Sequence, residues 1–363
     1  MQNSKTPSAV GRTERWTRRP AGSTWGDFGP DDQIGRLNLL TPEKVLQGIA
    51  EVTLGENFCL SLPLNLPGGN VLSPSRHPPV LRPTVIDNKI RMNHRLSTEN
   101  ERATDVISDD LVILYTQYST QWDSLAHVGH QFDVDGTGKR VAVYYNGFRA
   151  DVDVIGPSSV EDAGAIDVKM TAQSTSTAKA LGIERMAEAC VQGRGVMIDL
   201  HAHFGRERVL VTHEILMNIL RLDNVLIEPG DMVCLHTGFA DMLMQMGGTP
   251  DPELVHTSCA VLDGRDQKLL DWISETRLSV LIADNFAVEA LPANESPGHD
   301  HCALVPLHEH CLFKLGVHLG ELWHLTPLAN WLRSHRRYRF LLTAPPLRLP
   351  GAVGSPTTPI ATV

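Results

Sequence analysis

The sequence lacks any long apolar run, which argues against a membrane-spanning segment. No stretch approaches the roughly 20 consecutive apolar residues that a transmembrane helix needs. The first twenty residues are polar and basic and have no apolar centre of the kind found in secretory signals. We therefore expect a cytoplasmic protein in which residues 1–22 form a flexible polar tail.

Paired cysteines and an excess of positive charge are missing as well. Six cysteines are spread over 363 residues without a CxxC pair, which fits free thiols in a reducing compartment better than a disulfide framework. The chain carries 32 basic and 42 acidic side chains, a formal net charge of −10. Proteins that bind nucleic acid concentrate Lys and Arg to neutralise phosphates, so we expect no nucleic-acid partner.

Several well-known catalytic motifs are also absent. The chain has no GxSxG nucleophile elbow, no GxxxxGK[ST] phosphate loop and no HExxH helix. The glycines at 193, 195 and 205 do not form a GxGxxG fingerprint. Nucleophilic serine chemistry and nucleotide binding therefore have no support in the sequence.

What the chain does contain is an alternation of strand and helix patterns. Capping residues and helical spacing predict helices after Thr41, over residues 182–191, after Thr212 and over residues 266–275. Apolar runs predict strands at residues 111–118, Val196–Leu200, Met232–His236, Ser279–Ala283 and Tyr338–Thr343. Such alternation indicates an α/β protein whose sheet is at least partly parallel.

A polar cluster follows the first of these predicted strands. If the chain stays extended there, Gln117, Gln121 and Asp123 point to one face, because alternate residues of a strand share a side. Gln121 and Asp123 could then reach one metal ion, with His127 arriving after a turn. The alternative is a polar turn in which Asp123 caps a helix and His127 lies on the surface.

A second cluster runs from His308 to Glu321. A His and a carboxylate separated by a short apolar segment could supply one nitrogen and one oxygen ligand to a divalent ion. The alternative is that His308, His310 and His318 are ordinary polar positions on an amphipathic element.

Two further polar groups stand at the ends of predicted strands. His201 and His203 form a His-x-His pair, which on a strand would point to one side, although we favour a pocket-lining role over a ligand role for either. Asp284, with Glu289 shortly after it, is interpreted as a structural or pocket-wall residue.

Taken in order, these motifs resemble a cyclase family that includes bacterial kynurenine formamidase, isatin hydrolase and trans-dienelactone hydrolase. The resemblance rests on segments spread over nearly the whole chain: Trp25-Gly26, residues 35–40, residues 64–70, residues 121–127, residues 193–196, Pro229-Gly230-Asp231, Asp284-Asn285, His308 to Glu321, and residues 354–360. It implies an α/β protein with the swivelling β/β/α-type cyclase fold, a mixed sheet flanked by helices, and a single domain over residues 23–363. It also implies a metal-dependent hydrolase of a small amide, lactone or lactam that assembles as a homodimer or homotetramer.

The family's site motif, His-x-Gly-Thr-His-x-Asp-x-Pro-x-His, matches this chain only in part. Its two leading histidines fall on Gln117 and Gln121, while Asp123 and His127 keep the family's residue types. His308 and Glu321 match the later His and Glu ligands of the family.

The resemblance thus implies one divalent ion, Mn or Zn, bound by Asp123, His308 and Glu321 with help from Gln121. Because amides are weak oxygen ligands, the two replacements would favour an oxygen-preferring ion such as Mn²⁺.

The expected mechanism is hydrolysis by a metal-activated water, with His127 as general acid and base and Asp123 also orienting the water. His130 is a substitute candidate for the base, and Phe132 could help to form an apolar wall for a planar ring. The expected substrate-binding residues are Trp122, Gln117, His130 and His203. Two alternatives stay open: a metal-dependent lyase or dehydratase on the same scaffold, and a non-catalytic binding relative whose metal site has decayed.

Overall fold

The computed structural model of the chain describes residues 15–164, 174–293 and 302–363. Most of the predicted N-terminal tail, residues 1–14, lies outside the described residues. The rest of that segment contacts the body of the protein. Trp16 is 9% exposed and its ring meets that of Trp25 edge to face, with centroids 5.7 Å apart. The backbone N–H of Thr17 donates to Val134 O at 3.0 Å.

A nine-stranded mixed sheet forms the centre of the fold. Its strands are, in chain order, β1 (Asn57–Cys59), β2 (Gln121–Asp123), β3 (Gln192–Asp199), β4 (Met232–His236), β5 (Val280–Ala283), β6 (His318–Glu321), β7 (Arg339–Thr343), β8 (Gly354–Pro356) and β9 (Ile360–Thr362). They are arranged across the sheet in the order β1-β9-β7-β3-β4-β5-β6-β2-β8. The four central strands β3 to β6 are parallel, and the other pairings are antiparallel.

Helices flank this sheet. The described α-helices are α1 (Pro42–Ala50), α2 (Ile183–Glu188), α3 (Leu200–Phe204), α4 (His213–Leu222), α5 (Phe239–Met246), α6 (Pro252–Thr257), α7 (Gln267–Thr276), α8 (Pro306–His308, continued by a π-helical stretch over Glu309–Leu315) and α9 (Thr326–Ser334). Short 3-10 helices span Gly35–Leu39, Leu96–Thr98, Tyr145–Gly147 and Val160–Asp162. Within the described ranges, no helix has both the length and the apolar character that crossing a bilayer requires.

The predicted α/β class is confirmed, and the local signals explain why. Thr41 caps α1 by accepting from Lys44 N, Thr212 caps α4 by accepting from Ile215 N, and Asp266 caps α7. Strand β4 has the predicted bounds, and β5 and β7 each begin one residue later than predicted. Capping chemistry and apolar runs were therefore sufficient to place these helices and strands, whereas β3 begins four residues before the predicted Val196 and ends at Asp199, so that Leu200 lies in α3.

Alternate residues of the central strands bury into two separate cores. On one face, Ile198, Val233 and Leu281 pack with side chains of α4, α7 and α8. On the other face, Met197 and Cys234 pack with side chains of α2 and α9. The parallel strands are thus apolar on both sides, as expected for strands covered by helices on both faces.

The prediction of one buried strand over residues 111–118 was wrong. The structure has a strand at Asp110–Ile113 that pairs with Val80–Pro83, outside the main sheet. The chain then turns over residues 116–120 and enters the main sheet as β2. The sequence gives no signal for this turn, because neither glycine nor proline interrupts the aliphatic and aromatic run.

Residues 80–113 form a separate β-structure, here called the arm. It consists of three two-stranded ribbons: Val80–Pro83 with Asp110–Ile113, Val85–Ile86 with Lys89–Ile90, and His94–Arg95 with Val106–Ile107. Further two-stranded ribbons elsewhere join His130–Phe132 to Val141–Val143, Val154–Ile155 to Thr177–Ala178, and Leu210–Val211 to Val261–Leu262.

Candidate metal centre

Two neighbouring strands of the main sheet bring three polar side chains to one face. Strands β2 and β6 are antiparallel, with Gln121 opposite Glu321 and Asp123 opposite Leu319. Residues directly opposite each other, and residues two apart on one strand, share a face of a sheet. Gln121, Asp123 and Glu321 therefore point the same way, and all three are buried.

A histidine from α8 completes this group. Pro306 occupies the first turn of the helix, and His308 ends the α-helical part, 5% exposed. His308 Nε2 lies 3.2 Å from Glu321 Oε1 and 4.0 Å from Asp123 Oδ2. One possible ligand atom from each of Asp123, His308 and Glu321 lies within 4.8 Å of the other two. We call these three residues, with Gln121, the metal cluster.

Within the described ranges, no other set of three His, Cys, Asp or Glu side chains brings its ligand atoms this close together. The metal cluster unites the two separate polar clusters of the sequence, which are almost 200 residues apart in the chain.

Glu289 fixes the orientation of His308, and sequence reasoning did not assign it any role. Its carboxylate accepts from the backbone N–H of Leu307 at 2.9 Å, and from the backbone N–H and ring Nδ1 of His308 at 3.0 and 2.8 Å. Because a carboxylate only accepts, Nδ1 carries a proton and Nε2 is the nitrogen that faces the cluster. This is the arrangement that orients histidine ligands in metal sites.

The room for Glu289 depends on a glycine. A Cβ atom added to Gly264 would lie 2.1 Å from Glu289 Oε2. No spacing in the sequence links Gly264, Glu289 and His308, which is why only the structure identifies this support.

Two buried oxygen atoms of the metal cluster have no hydrogen-bond partner. They are Asp123 Oδ2 and Gln121 Oε1. The amide Nε2 of Gln121 donates toward the carboxylates, at 3.5 Å from Asp123 Oδ1 and 3.3 Å from Glu321 Oε2. Buried polar atoms are nearly always satisfied in folded proteins, so unpartnered acceptors in a group of carboxylates indicate a site for a cation.

The pKa shifts of the cluster residues also indicate a site for a cation. Burial raises the pKa of Asp123 and the nearby Glu321 carboxylate adds to the rise, which the opposing interactions with His127, His308 and Arg76 do not offset. Burial would also raise the pKa of Glu321, but the hydrogen bond and charge of His308 hold it below its usual range. Burial would lower the pKa of His308, yet Glu289 and Glu321 raise it to about 10. The cluster therefore holds a cation even without metal, in the form of a proton on His308.

His127 lies at the rim of the cluster. Its Nε2 is 3.8 Å from Asp123 Oδ1, and its side chain is 20% exposed, whereas that of Asp123 is fully buried. A turn closed by the hydrogen bond from His127 N to Ser124 O brings the ring back toward Asp123. His127 thus stands between the buried carboxylates and solvent, where a proton could be exchanged.

Gln117 does not belong to this face, and the expectation that it shares one with Gln121 was wrong. Gln117 lies in the turn before β2 rather than on a strand. Its side-chain oxygen accepts from Thr116 Oγ1 at 2.7 Å, and its amide packs on Gly354, where an added Cβ would approach within 2.4 Å. Its backbone oxygen accepts from Arg76 at 2.8 Å.

Trp122 is not a wall of the site either. It alternates with Gln121 and Asp123 along β2 and so points to the opposite face of the sheet. There its ring is fully buried, meets Trp323 edge to face at 5.0 Å, and donates from Nε1 to Ala344 O at 2.8 Å. Its role is in the core.

The other two predicted substrate-binding residues lie in different places. His130 lines a cavity of about 890 Å³. Its Nδ1 lies 3.7 Å from Glu309 Oε2, and its ring contacts that of Phe313. His203 is exposed, and its Nε2 hydrogen-bonds Asp223 at 2.8 Å. His203 follows β3, which is three strand spacings, about 14 Å, from β6. The prediction that His201 and His203 share one side of a strand was wrong, because both lie in α3.

A second polar group surrounds the buried His236 at the ends of β3 and β4, and its carboxylate and imidazole are fully partnered. Asp199 Oδ1 accepts from His236 Nδ1 at 2.8 Å, and His236 Nε2 hydrogen-bonds Thr326 at 2.9 Å. Arg333 Nε donates to Asp199 Oδ2 at 3.0 Å. These four residues are called the Asp199 cluster. Nearby, Asp284 accepts three hydrogen bonds from Thr237 and Gly238, in keeping with the structural role predicted for it.

Comparison with known proteins settles the family. Residues 60–290 match the profile of the family described as "Putative cyclase". The chain belongs to this cyclase family. The match spans Asp123 and Glu289 and ends before His308. The comparison with curated proteins returned no match.

Solved structures extend the likeness over the whole cyclase fold. A crystal structure described as a novel cyclase is 28% identical to this chain, with a TM-score of 0.69, over 94% of this chain and 97% of that one. Isatin hydrolase A from Ralstonia solanacearum is 14% identical, with a TM-score of 0.50, over 84% of this chain and 91% of that one. The first likeness covers nearly the full length of both chains, and the second shows the fold alone.

Proposed function

We propose that this cyclase-family member is a metal-dependent hydrolase that opens a small amide, lactone or cyclic imide bond. The observation that carries the proposal is the pair of unpartnered buried oxygens, Asp123 Oδ2 and Gln121 Oε1, in a cluster that also contains His308 and Glu321. The hydrolase named in the comparison with Ralstonia solanacearum accords with it.

The donor set suits one divalent ion. Asp123 and Glu321 offer carboxylate oxygens and His308 offers Nε2, a mixture that Mn²⁺ and Zn²⁺ both accept. Gln121 donates to both carboxylates and would keep them apart until the ion arrives. A bound divalent ion supplies a water of lowered pKa and polarises a carbonyl oxygen.

The chain's own residues supply the proton transfers and the positioning. His127 is near enough to Asp123 to be oriented by it and exposed enough to pass a proton to solvent. We assign it the role of taking a proton during attack and returning one to the leaving group. Glu289 holds His308 in place throughout.

Metal content is the first test. The full chain, purified without chelator, would be analysed for bound metal beside Asp123→Asn and His203→Gln. We expect about one equivalent of Mn or Zn in the wild type and in His203→Gln, and a clear loss in Asp123→Asn. Absence of metal in all three proteins, before and after incubation with Mn²⁺ or Zn²⁺, would overturn the proposed site.

Turnover is the second test, on a panel of lactones, formamides and cyclic imides followed by product mass. Hydrolysis adds one water to the substrate, whereas elimination by a lyase or dehydratase does not. His127→Gln should retain its metal and lose kcat by orders of magnitude, while His203→Gln, which alters an exposed histidine outside the cluster, should keep kcat. An equal kcat in wild type and His127→Gln would remove His127 from the mechanism.

A further inference from the structure

Arg76 lies beside the metal cluster with one edge of its guanidinium unused. Its side chain is partly buried in the segment that joins β1 to the arm. Its Nη1 donates to Gln117 O at 2.8 Å. Within the described parts of the chain, Nε and Nη2 have no hydrogen-bond acceptor, and no carboxylate forms an ion pair with the guanidinium. A permanent positive charge is therefore available at this point.

The unused edge of Arg76 is the one with which an arginine binds a carboxylate side-on. Arg194 uses its own edge in this way, because its Nε donates to Asp231 Oδ1 at 2.9 Å and its Nη2 donates to Asp231 Oδ2 at 3.0 Å. Arg76 presents the same two nitrogens without a carboxylate of the protein in front of them.

The contact with Gln117 places Arg76 next to Asp123. The side-chain amide of Gln117 packs on Gly354, where an added Cβ would lie 2.4 Å from Gln117 Nε2. Gly354 is directly opposite Asp123 in the pairing of β8 with β2. Because the Cβ positions of directly paired residues are about 5 Å apart, Gln117 borders Asp123 and brings Arg76 close to it.

A second contact places Arg76 near Glu321. The Cζ atom of Arg76 lies 5.9 Å from the centre of the Phe286 ring, within the range of a cation–π contact. Phe286 follows Asn285, whose backbone oxygen accepts from the N–H of Leu322 at 3.1 Å, directly after Glu321. Arg76 is thus held between the two strands that carry the carboxylates of the metal cluster.

A cleft beside Arg76 has room for one oxygen atom of a ligand. Its lining includes Arg76, Tyr118 and Phe286, and its volume is about 10 Å³, which is what one water-sized atom needs. Tyr118 fixes the wall of the cleft, because its hydroxyl accepts from Gly68 N and donates to Gly69 O, both at 2.9 Å. The cleft therefore suits a small polar group at the end of a ligand.

The charges of the site explain why that group is anionic. Asp123, Glu289 and Glu321 carry three negative charges, which one divalent ion and Arg76 together balance when His308 binds the ion as a neutral ring. Without Arg76 the loaded site would be negative and would repel an anionic substrate. Burial raises the pKa of Asp123 and would raise that of Glu321, and the charge of Arg76 opposes burial at both carboxylates.

We propose that Arg76 binds a carboxylate group that the substrate carries in addition to the bond that is opened. This inference rests on the proposed function and narrows it: the substrate is an anionic amide, lactone or cyclic imide. The Nε and Nη2 atoms of Arg76 donate to the carboxylate, while the reacting carbonyl lies at the metal cluster.

The test compares two substrates that differ only in charge, a lactone or formamide bearing a carboxylate and the same compound with a primary carboxamide in its place. The metal-loaded wild type should prefer the acid in kcat/KM by roughly 10- to 100-fold, as expected for hydrogen bonds to a charged group. Arg76→Gln should lose that preference through a higher KM for the acid, with kcat little changed, because binding remote from the reacting bond is lost. Arg76→Lys, which keeps the charge without the planar fork, should retain part of the preference.

The matched control is Arg82→Gln, which removes an exposed arginine six residues further along the chain and should keep the wild-type preference. A wild type without preference for the acid would overturn the proposal. Equal losses on both substrates in Arg76→Gln would also overturn it, because they would show a structural role.

Failure of the proposed function has a different signature, since the wild type would then hydrolyse neither substrate. In that case calorimetric titration with benzoate and with benzamide decides about Arg76 alone. Benzoate should bind the wild type at least tenfold more tightly than it binds Arg76→Gln, and benzamide should not distinguish the two proteins. Equal affinities of both proteins for benzoate would overturn the assignment of Arg76 whether or not the protein is a hydrolase.

Discussion

The metal cluster and the Asp199 cluster are built from similar residues and behave differently. Each joins an aspartate of the main sheet to a buried histidine, although Asp123 is fully buried and the side chain of Asp199 is 16% exposed. In the Asp199 cluster, both carboxylate oxygens have partners, and both ring nitrogens of His236 do as well. In the metal cluster, Asp123 Oδ2 and Gln121 Oε1 have none.

The two aspartates accordingly differ in their electrostatics. Burial would raise the pKa of Asp199, but His236 and Arg333 hold it at about 2. The pKa of Asp123 is instead raised, because burial outweighs the charges near it. Leaving a buried polar atom unpartnered costs about 1–3 kcal/mol. The comparison teaches that one cluster is complete as folded and the other needs a ligand.

The largest expected effect comes from replacing the aspartate of each cluster by asparagine and comparing the two variants. Asp123→Asn should remove metal binding and lower turnover by orders of magnitude, because an amide is a poor ligand. The metal-free variant should be at least as stable as the metal-free wild type, since it removes a carboxylate whose charged form burial disfavours. Thermal unfolding with and without Mn²⁺ or Zn²⁺ measures both effects: metal should raise the melting temperature of the wild type and not that of the variant.

Asp199→Asn is the matched control for this experiment. It should unfold at a lower temperature than the wild type, yet its melting temperature should still rise on addition of metal. If Asp123→Asn were the less stable variant without metal, the two clusters would both be structural and the comparison would fail.

A smaller effect is expected one step away from the metal. Glu289→Gln has one acceptor oxygen in place of two, so it can still accept from His308 but not also from the backbone N–H of Leu307, and it no longer offers a charged oxygen to Nδ1 of His308. Loss of such a supporting carboxylate typically costs 10- to 100-fold in metal affinity. Competition with a metal chelator would measure the dissociation constant. A dissociation constant equal to that of the wild type would show that Glu289 only holds the backbone of α8.

These residues also mark how far the sequence alone could lead. Asp123, His308 and Glu321 could be found from residue type and a family resemblance, because their separate clusters each looked like half of a site. Glu289 could not, because its contact with His308 depends on Gly264 and on the path of α8. Gln117 was misplaced because the turn before β2 takes it off the strand, and residue types do not reveal that turn. Trp122 was misplaced for a different reason, since alternation along the strand already puts it on the face opposite Gln121 and Asp123.

The next prediction concerns the energy of the complete cluster. Since the pKa of Asp199 is held at about 2, below its usual value of about 3.9, its charge contributes on the order of 2 kcal/mol to the free energy of unfolding at neutral pH. That contribution is present above about pH 4 and is lost as pH falls toward about 2. Urea unfolding of wild type and Asp199→Asn should therefore differ at pH 7 and converge in acid. An equal difference at both pH values would place the loss in packing rather than in charge.

The smallest effect tests whether an unpartnered atom is enough to mark a site. His318 Nδ1 is also buried without a partner, but His318 points to the opposite face of β6 from Glu321 and stands alone among apolar residues. Burial lowers the pKa of His318 to about 3, so from about pH 6.5 downward the unfolded chain binds a proton that the folded chain refuses. His318 therefore does not lower the free energy of unfolding above about pH 6.5, and it lowers it progressively as pH falls from there toward about 3. At pH 5.5 the wild type should have lost about 1.4 kcal/mol more than His318→Leu, relative to each protein at neutral pH. His310, whose pKa burial lowers to about 4, is present in both proteins and cancels in that difference.

Metal content should be the same in both, because a single orphaned nitrogen without neighbouring carboxylates has nothing to share an ion with. A loss of metal in His318→Leu would show that metal binding depends on residues on both faces of β6.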